Sequence, residues 1–168
     1  FKSAHGVANA MAVPRIQKVV VNVGTGRVKD EKEKQEIASS LTKITGQKAD
    51  ARPARISIAS FKSRKGMVIG YRVTIRGKRM YDFLERLVYS AIPRTRDFRG
   101  IKVSSIDEHG NMNIGIREHI IFPEMIGEDV RKIFSLQATI VTNAGSKERA
   151  ELLFRELGFP LAKNEKSK

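Results

Sequence analysis

Apolar and polar residues alternate in three stretches of the chain. Residues 16–24 put Val19, Val21 and Val23 on one side and Lys18, Val20 and Asn22 on the other, the period-two pattern of a strand with one buried face. Residues 68–76 repeat it, with Ile69, Tyr71, Val73 and Ile75 against Gly70, Arg72, Thr74 and Arg76. Residues 112–117 do so again, with Met112, Ile114 and Ile116 against Asn113, Gly115 and Arg117. A fourth strand is expected over residues 136–142. Elsewhere the spacing is helical. Residues 30–45 carry a narrow apolar stripe of Ile37, Leu41 and Ile44, and Gly46 suits the left-handed position after a helix end. Residues 78–92 present Met80, Phe83, Leu84, Leu87, Val88 and Ala91 on one side until Pro93 stops the pattern. A last helix is expected over 146–158, with Ser146 as its N-cap. Residues 47–58, interrupted by Pro53, read as irregular or edge-like. Residues 61–66 and 94–100 read as basic loops.

These elements predict an α+β fold, a largely antiparallel sheet with helices packed on one face and the other face open. Neighbouring strands would then carry Lys18, Asn22, Arg72, Thr74, Arg76, Asn113 and Arg117 together on the open face. No repeat, low-complexity tract or linker breaks the chain, so residues 1–168 are expected to form a single domain, with residues 163–168 as a frayed tail.

Charge turns that open face into a candidate site. The 168 residues hold 32 Lys and Arg against 18 Asp and Glu, a formal net charge of +14. The excess is concentrated. From Lys48 to Lys102 there are fifteen basic residues and four acidic ones, which accounts for +11 of the total. One-sided charge within a folded segment implies a polyanion partner, and nucleic acid is the natural one. An acidic membrane surface fits less well, because the cations are interleaved with strand patterns rather than laid along one amphipathic helix. No apolar run is long enough to cross a membrane, and residues 1–12 lack the long apolar core of a secretory signal. The absence of cysteine removes disulfides, thiolate chemistry and cysteine metal sites.

Catalytic and cofactor chemistry find little support. The run "VVVNVGTGRVKD" has the look of a strand and glycine turn ahead of a helix that could cradle phosphate. The dinucleotide fingerprint, however, needs a third glycine where Lys29 stands, and the Gly-Lys-Ser/Thr ending of a P-loop is missing. Gly24 and Gly26 are therefore expected to serve a plain turn. His5, His109 and His119 have no metal-ligand spacing, and Glu118-His119 lacks the second histidine of a zinc-protease helix. No serine sits in a nucleophile elbow. No catalytic residue, metal site or cofactor is expected.

Several stretches in order, "VPRIQKVVVNVGTG", "LTKITGQKA", "SIASFKSRKGMVIGYRVTIRGKRMYDFLERL", "IPRTRDFRG", "GNMNIGIREHIIFPE" and "ELLFRELGFP", resemble the bacterial-type large-subunit ribosomal protein five, which binds 5S ribosomal RNA. The likeness runs from Val13 to Pro160. It implies an α+β fold and a place in the central protuberance of the large ribosomal subunit, on 5S and 23S ribosomal RNA. It also implies contact with P-site transfer RNA through a loop, with ribosomal protein thirteen of the small-subunit head as an intersubunit bridge, and with neighbouring large-subunit proteins. Location in a cytoplasmic ribosome, or in an organellar ribosome of bacterial descent, follows. By the same resemblance the 5S contacts fall on Asn22, Gln47 and Thr74, and the transfer-RNA loop on Phe61, Lys62, Ser63, Arg64, Lys65 and Gly66; the loop's contacts are expected to be few and to phosphate, because every elongator transfer RNA must be accepted alike. Residues 1–12 resemble the tail of an N-terminal helix. The chain departs from the family at Arg55-Ile56, at Val68 and at Ser135-Leu136-Gln137, the last beside the bridge region around residues 125–135.

Two other classes share part of this pattern. A free-standing RNA-binding regulator would have the charge without the ordered motifs, and would not co-sediment with large subunits. A nucleotide-dependent enzyme would need its glycine turn to bind ATP or NAD.

Overall fold

The computed structural model describes residues 9–28, 30–61, 63–96, 98–127 and 132–162. Its centre is β1 (Ile16–Gly24), whose β-branched residues suit a pleated strand paired on both sides. β3 (Val68–Ile75) pairs antiparallel along one edge of β1, with Asn22 opposite Arg72 and Val20 opposite Thr74. β5 (Leu136–Thr142) pairs along the other, with Asn22 opposite Gln137 and Val20 opposite Thr139. The outer strands are β2 (Asp50–Pro53), antiparallel to β3, and β4 (Met112–Ile116), antiparallel to β5. The result is one open five-stranded sheet in the order β2-β3-β1-β5-β4.

Helices cover one face of it: α1 (Glu31–Thr45), α2 (Lys78–Arg86) and α3 (Lys147–Glu156). Val19, Val21, Val23, Val73, Ile75, Ile114 and Ile140 meet Ile37, Leu41, Met80, Phe83, Ala150 and Phe154 in one hydrophobic core. Burying those side chains is the main stabilising term of the fold. The α+β architecture expected from the periodicity is the one observed.

Local chemistry explains the helix ends. The Asp30 carboxylate accepts the Lys32 N–H (3.0 Å) at the start of α1, and Gly46, at φ +67°, closes it by donating its N–H to Thr42 O (2.8 Å). Ser146 Oγ accepts the Arg149 N–H (3.4 Å) at the start of α3. The single helix expected over 78–92 needs correction. α2 ends at Arg86, the backbone widens into a π turn over Leu87–Ala91, and a 3₁₀ turn follows at Ile92–Arg94. Pro93 has no N–H to donate and its ring crowds the carbonyl four residues back, so the α pattern cannot run through it. Arg86, at the end of α2, pairs with Glu124 and also donates to Ile44 O (3.4 Å), fastening α1, α2 and the 3₁₀ turn Pro123–Met125 to one another.

β2 is the edge strand that Pro53 allowed; the register slips between Arg52 and Pro53, where the proline cannot donate. The turn after β1 is a plain turn, as expected, but its glycines are not what shapes it. Neither Gly24 nor Gly26 has a positive φ, and a Cβ on either would meet nothing within 4 Å. The turn is held instead by Thr25, whose N–H donates to Ile69 O (2.9 Å) and whose carbonyl accepts from Val28 (2.9 Å). The Asp30 side chain caps the first turn of α1, which also carries Glu31 and Glu33.

Candidate nucleic-acid interface

The strand register lines up the uncovered face rung by rung. One rung runs Asp50, Arg72, Asn22, Gln137 and Gly115 across all five strands; the next runs Thr74, Val20, Thr139 and Asn113. Lys18 lies further along β1, opposite Val141. Arg76 and Arg117 continue the same parity one residue beyond the ends of β3 and β4, and both are exposed. The sheet thus brings Lys18, Asn22, Arg72, Thr74, Asn113 and their two rim arginines onto one face. Gln47 lies outside the strands and is not aligned with these rungs. It is half-buried in the connection from α1 to β2, three residues ahead of Asp50, where the Gln47 carbonyl accepts the Thr45 hydroxyl (3.1 Å).

The hydrogen-bond inventory separates groups already used from groups on offer. Asn113 Oδ1 accepts from the Thr139 hydroxyl (2.7 Å) and from Gln137 Nε2 (3.2 Å), so its amide nitrogen is the group left to a partner. Among the described residues, the Asn22 amide and the Thr74 hydroxyl have no intramolecular partner. Thr74 is half-buried and Asn22 is exposed. Both groups are open to solvent, and two polar groups without intramolecular partners on adjacent rungs, flanked by cations, are what a hydrogen-bonding ligand would find.

Two features of this face were missed. Asp50 is an acid at its edge, 3.0 Å from Arg52 and 3.9 Å from Arg72, so one of the predicted cations is already partly neutralised. It was hidden because β2 is too short for a periodicity. Gln137 and Thr139 of β5 also belong to the face, and the alternation of Leu136, Ala138 and Ile140 with Gln137, Thr139 and Val141 was the signal for them. Toward one end, Asn22, Gly24, Gly115, Arg117, Ser135 and Gln137 line an open cleft of about 400 Å³ with no acid in it. Tyr71 packs against the core, so the sheet itself offers no aromatic platform.

The loop expected over 61–66 is part of a longer finger. Beyond β2 and β3 the hairpin continues through Ala54 N–H to Met67 O (2.8 Å) and Gly66 N–H to Ala54 O (2.9 Å). Further out, Ile58 and Ser63 exchange both backbone bonds (3.1 and 3.2 Å), and the Lys65 N–H donates to Ser57 Oγ (2.9 Å). Gly66 adopts φ +88°, a left-handed turn that glycine accepts without strain. Phe61, Arg64, Lys65 and Gly66 are exposed and Ser63 is half-buried; Lys62 lies outside the described residues, as do 1–8, 128–131 and 163–168.

His119 is a core residue rather than a ligand. It is buried, its ring stacks on Phe134 with centroids 3.9 Å apart, and its Nδ1 accepts the Phe134 N–H (3.3 Å). Burial pushes the imidazole below its usual range.

Comparison with known proteins matches both halves of the chain to one family. Residues 9–64 match the family model described as "Ribosomal protein L5", and residues 68–161 match the model of the C-terminus of the same ribosomal family. The large ribosomal subunit protein uL5 of Flavobacterium johnsoniae is 48% identical over 165 residues, covering 98% of this chain and 90% of the relative. That of Halothermothrix orenii is 50% identical over 153 residues, covering 90% and 86%. That of Rubrobacter xylanophilus is 46% identical over 165 residues, covering 98% and 92%.

Proposed function

Because the chain belongs to the ribosomal protein L5 family, and so is a structural constituent of the large ribosomal subunit rather than an enzyme, we propose that its open sheet face is the surface that grips 5S ribosomal RNA. The observation that carries this is the pair of unpartnered polar groups, Asn22 and Thr74, set among Lys18, Arg72, Arg76 and Arg117. Cations supply affinity for phosphate without regard to sequence. Amide and hydroxyl groups supply direction, and can meet ribose hydroxyls and base edges of a folded RNA. Gln47, at the β2 edge, adds a further amide to the same reading. The remaining basic surface would meet 23S ribosomal RNA in the central protuberance.

The finger is assigned a second partner, the P-site transfer RNA. It projects from a rigid hairpin base, is exposed along most of its length and holds Arg64 and Lys65, so it suits a ligand that arrives and leaves. The region around residues 125–135 is assigned to the small-subunit head protein.

Binding of 5S RNA at one fixed salt concentration tests the central assignment. Thr74→Ala and Asn22→Ala should each weaken binding by about 1–3 kcal/mol, the scale of an unmade hydrogen bond at a desolvated site, with the melting temperature unchanged. Unchanged affinity in both variants would overturn it.

A further inference from the structure

The finger carries more apolar surface than a cationic hook requires. Phe61 is 77% exposed and Ile56 is 72% exposed, and Ile58 is exposed as well. Phe61 ends the 3₁₀ turn Ala59–Phe61, inside the Ile58–Ser63 backbone pair, which puts the ring at the tip of the finger. The charge around it is one-sided: Arg64 and Lys65 follow the tip on the returning strand, Arg55 lies toward the base of the finger, and no Asp or Glu occurs from Ala51 to Tyr81.

Charge decides what could cover such a tip. An apolar protein groove that took in the tip would bury the ring but leave Arg64 and Lys65 without counter-charges, a costly arrangement where they are desolvated. A nucleobase meets both demands, since it offers a flat apolar face with phosphates alongside. We propose that Phe61 stacks on an exposed nucleobase of the RNA that the finger meets, while Arg64 and Lys65 hold the adjacent phosphates. This rests on the assignment of the finger to P-site transfer RNA and adds a second kind of contact to the phosphate contacts expected from the sequence. Stacking suits that ligand, because every base has a π face and all transfer RNAs can be accepted alike.

Ribosomes assembled with finger variants test it through the dissociation rate of P-site transfer RNA. Phe61→Ala should speed release by about tenfold, the scale of one lost base–aromatic stack. Phe61→Tyr should restore the wild-type rate, whereas Phe61→Leu, which keeps apolar bulk without a π face, should not. Raising the salt should leave the Phe61→Ala ratio unchanged and shrink that of Arg64→Ala/Lys65→Ala, because only charge contacts are screened. Wild-type residence in Phe61→Leu would overturn stacking. So would loss of subunit association in Phe61→Ala with normal residence, which would mean that protein covers the ring. If Phe61→Ala is silent while Arg64→Ala/Lys65→Ala speeds release, the stacking proposal falls and the finger holds transfer RNA by phosphates alone. If neither variant changes residence, the transfer-RNA assignment itself falls.

Discussion

Two strand glycines share the open-face parity and differ in why they are there. A Cβ on Gly70 would lie 2.7 Å from Val23 O, in the strand alongside. Gly115 has an ordinary φ and nothing within 4 Å of where its Cβ would stand. Gly70→Ala should therefore cost about 1–3 kcal/mol through overpacking against a backbone that cannot yield. Gly115→Ala should be neutral or stabilise by up to about 1 kcal/mol, since it only restricts the unfolded chain. Urea midpoints of the two variants check both signs, and destabilisation by Gly115→Ala would show that β4 is held more tightly than its open surroundings suggest. The alternating pattern predicted the face on which each glycine lies. It could not reveal their difference, because the distance between a strand and its neighbour's carbonyl depends on register, and register is a property of two segments at once. Asn22 and Thr74 were legible for the same reason that Gly70 was not, since their parity is local to one strand.

At the scale of elements, the sequence was most readable where packing is one-sided. β1, β5 and the start of α1 came out at or within a residue of their predicted ends, because each alternates cleanly or is capped by its own side chain. β2 and the break in α2 did not, the first being four residues long and the second depending on how far upstream Pro93 disturbs a helix. The connection between β4 and β5 was legible only in pieces, and His119 is what closes it. Its backbone N–H donates to Phe134 O (3.2 Å), its Nδ1 takes the Phe134 N–H, and its ring lies on that of Phe134. Only an unprotonated Nδ1 can accept that bond. Burial holds the folded pKa of His119 below that of the unfolded chain, so below about pH 6.5 the unfolded state binds the proton more readily. The stability that the neutral ring contributes is present in full above that pH and is lost as pH falls toward the folded pKa. Wild type should lose urea resistance as pH falls below about 6.5 toward the folded pKa. His119→Phe, which keeps a stacking ring and cannot titrate, should lose distinctly less. An equal loss in both would assign the pH dependence to some other group.

For the whole molecule, the decisive property is an asymmetry between two faces of one sheet. One face is spent on helices and gives the fold its stability; the other is left to cations and hydrogen-bonding groups, with Asp50 as the acid on its mapped rungs. Composition alone revealed the excess of charge but not its use, since +14 is equally compatible with a basic surface all round. The register supplies what composition lacked, by bringing residues over a hundred positions apart in sequence, such as Asn22 and Gln137, side by side. Such a face should bind RNA largely through phosphate. Lys18, Arg72, Arg76 and Arg117 on the sheet face would neutralise about four phosphates, and the logarithm of 5S affinity should then fall against the logarithm of salt with a slope of roughly −2.8 to −3.6. Asp50 sharpens the expectation. Its pairing with Arg72 competes with phosphate, so Asp50→Asn should raise 5S affinity at low salt and leave the slope no shallower, because a cation is released from an internal partner rather than added. A slope near zero would mean that the cations face something other than RNA; a steep slope with no response to Asp50→Asn would move the phosphate contacts off the β2 edge and onto the β4 and β5 side of the sheet.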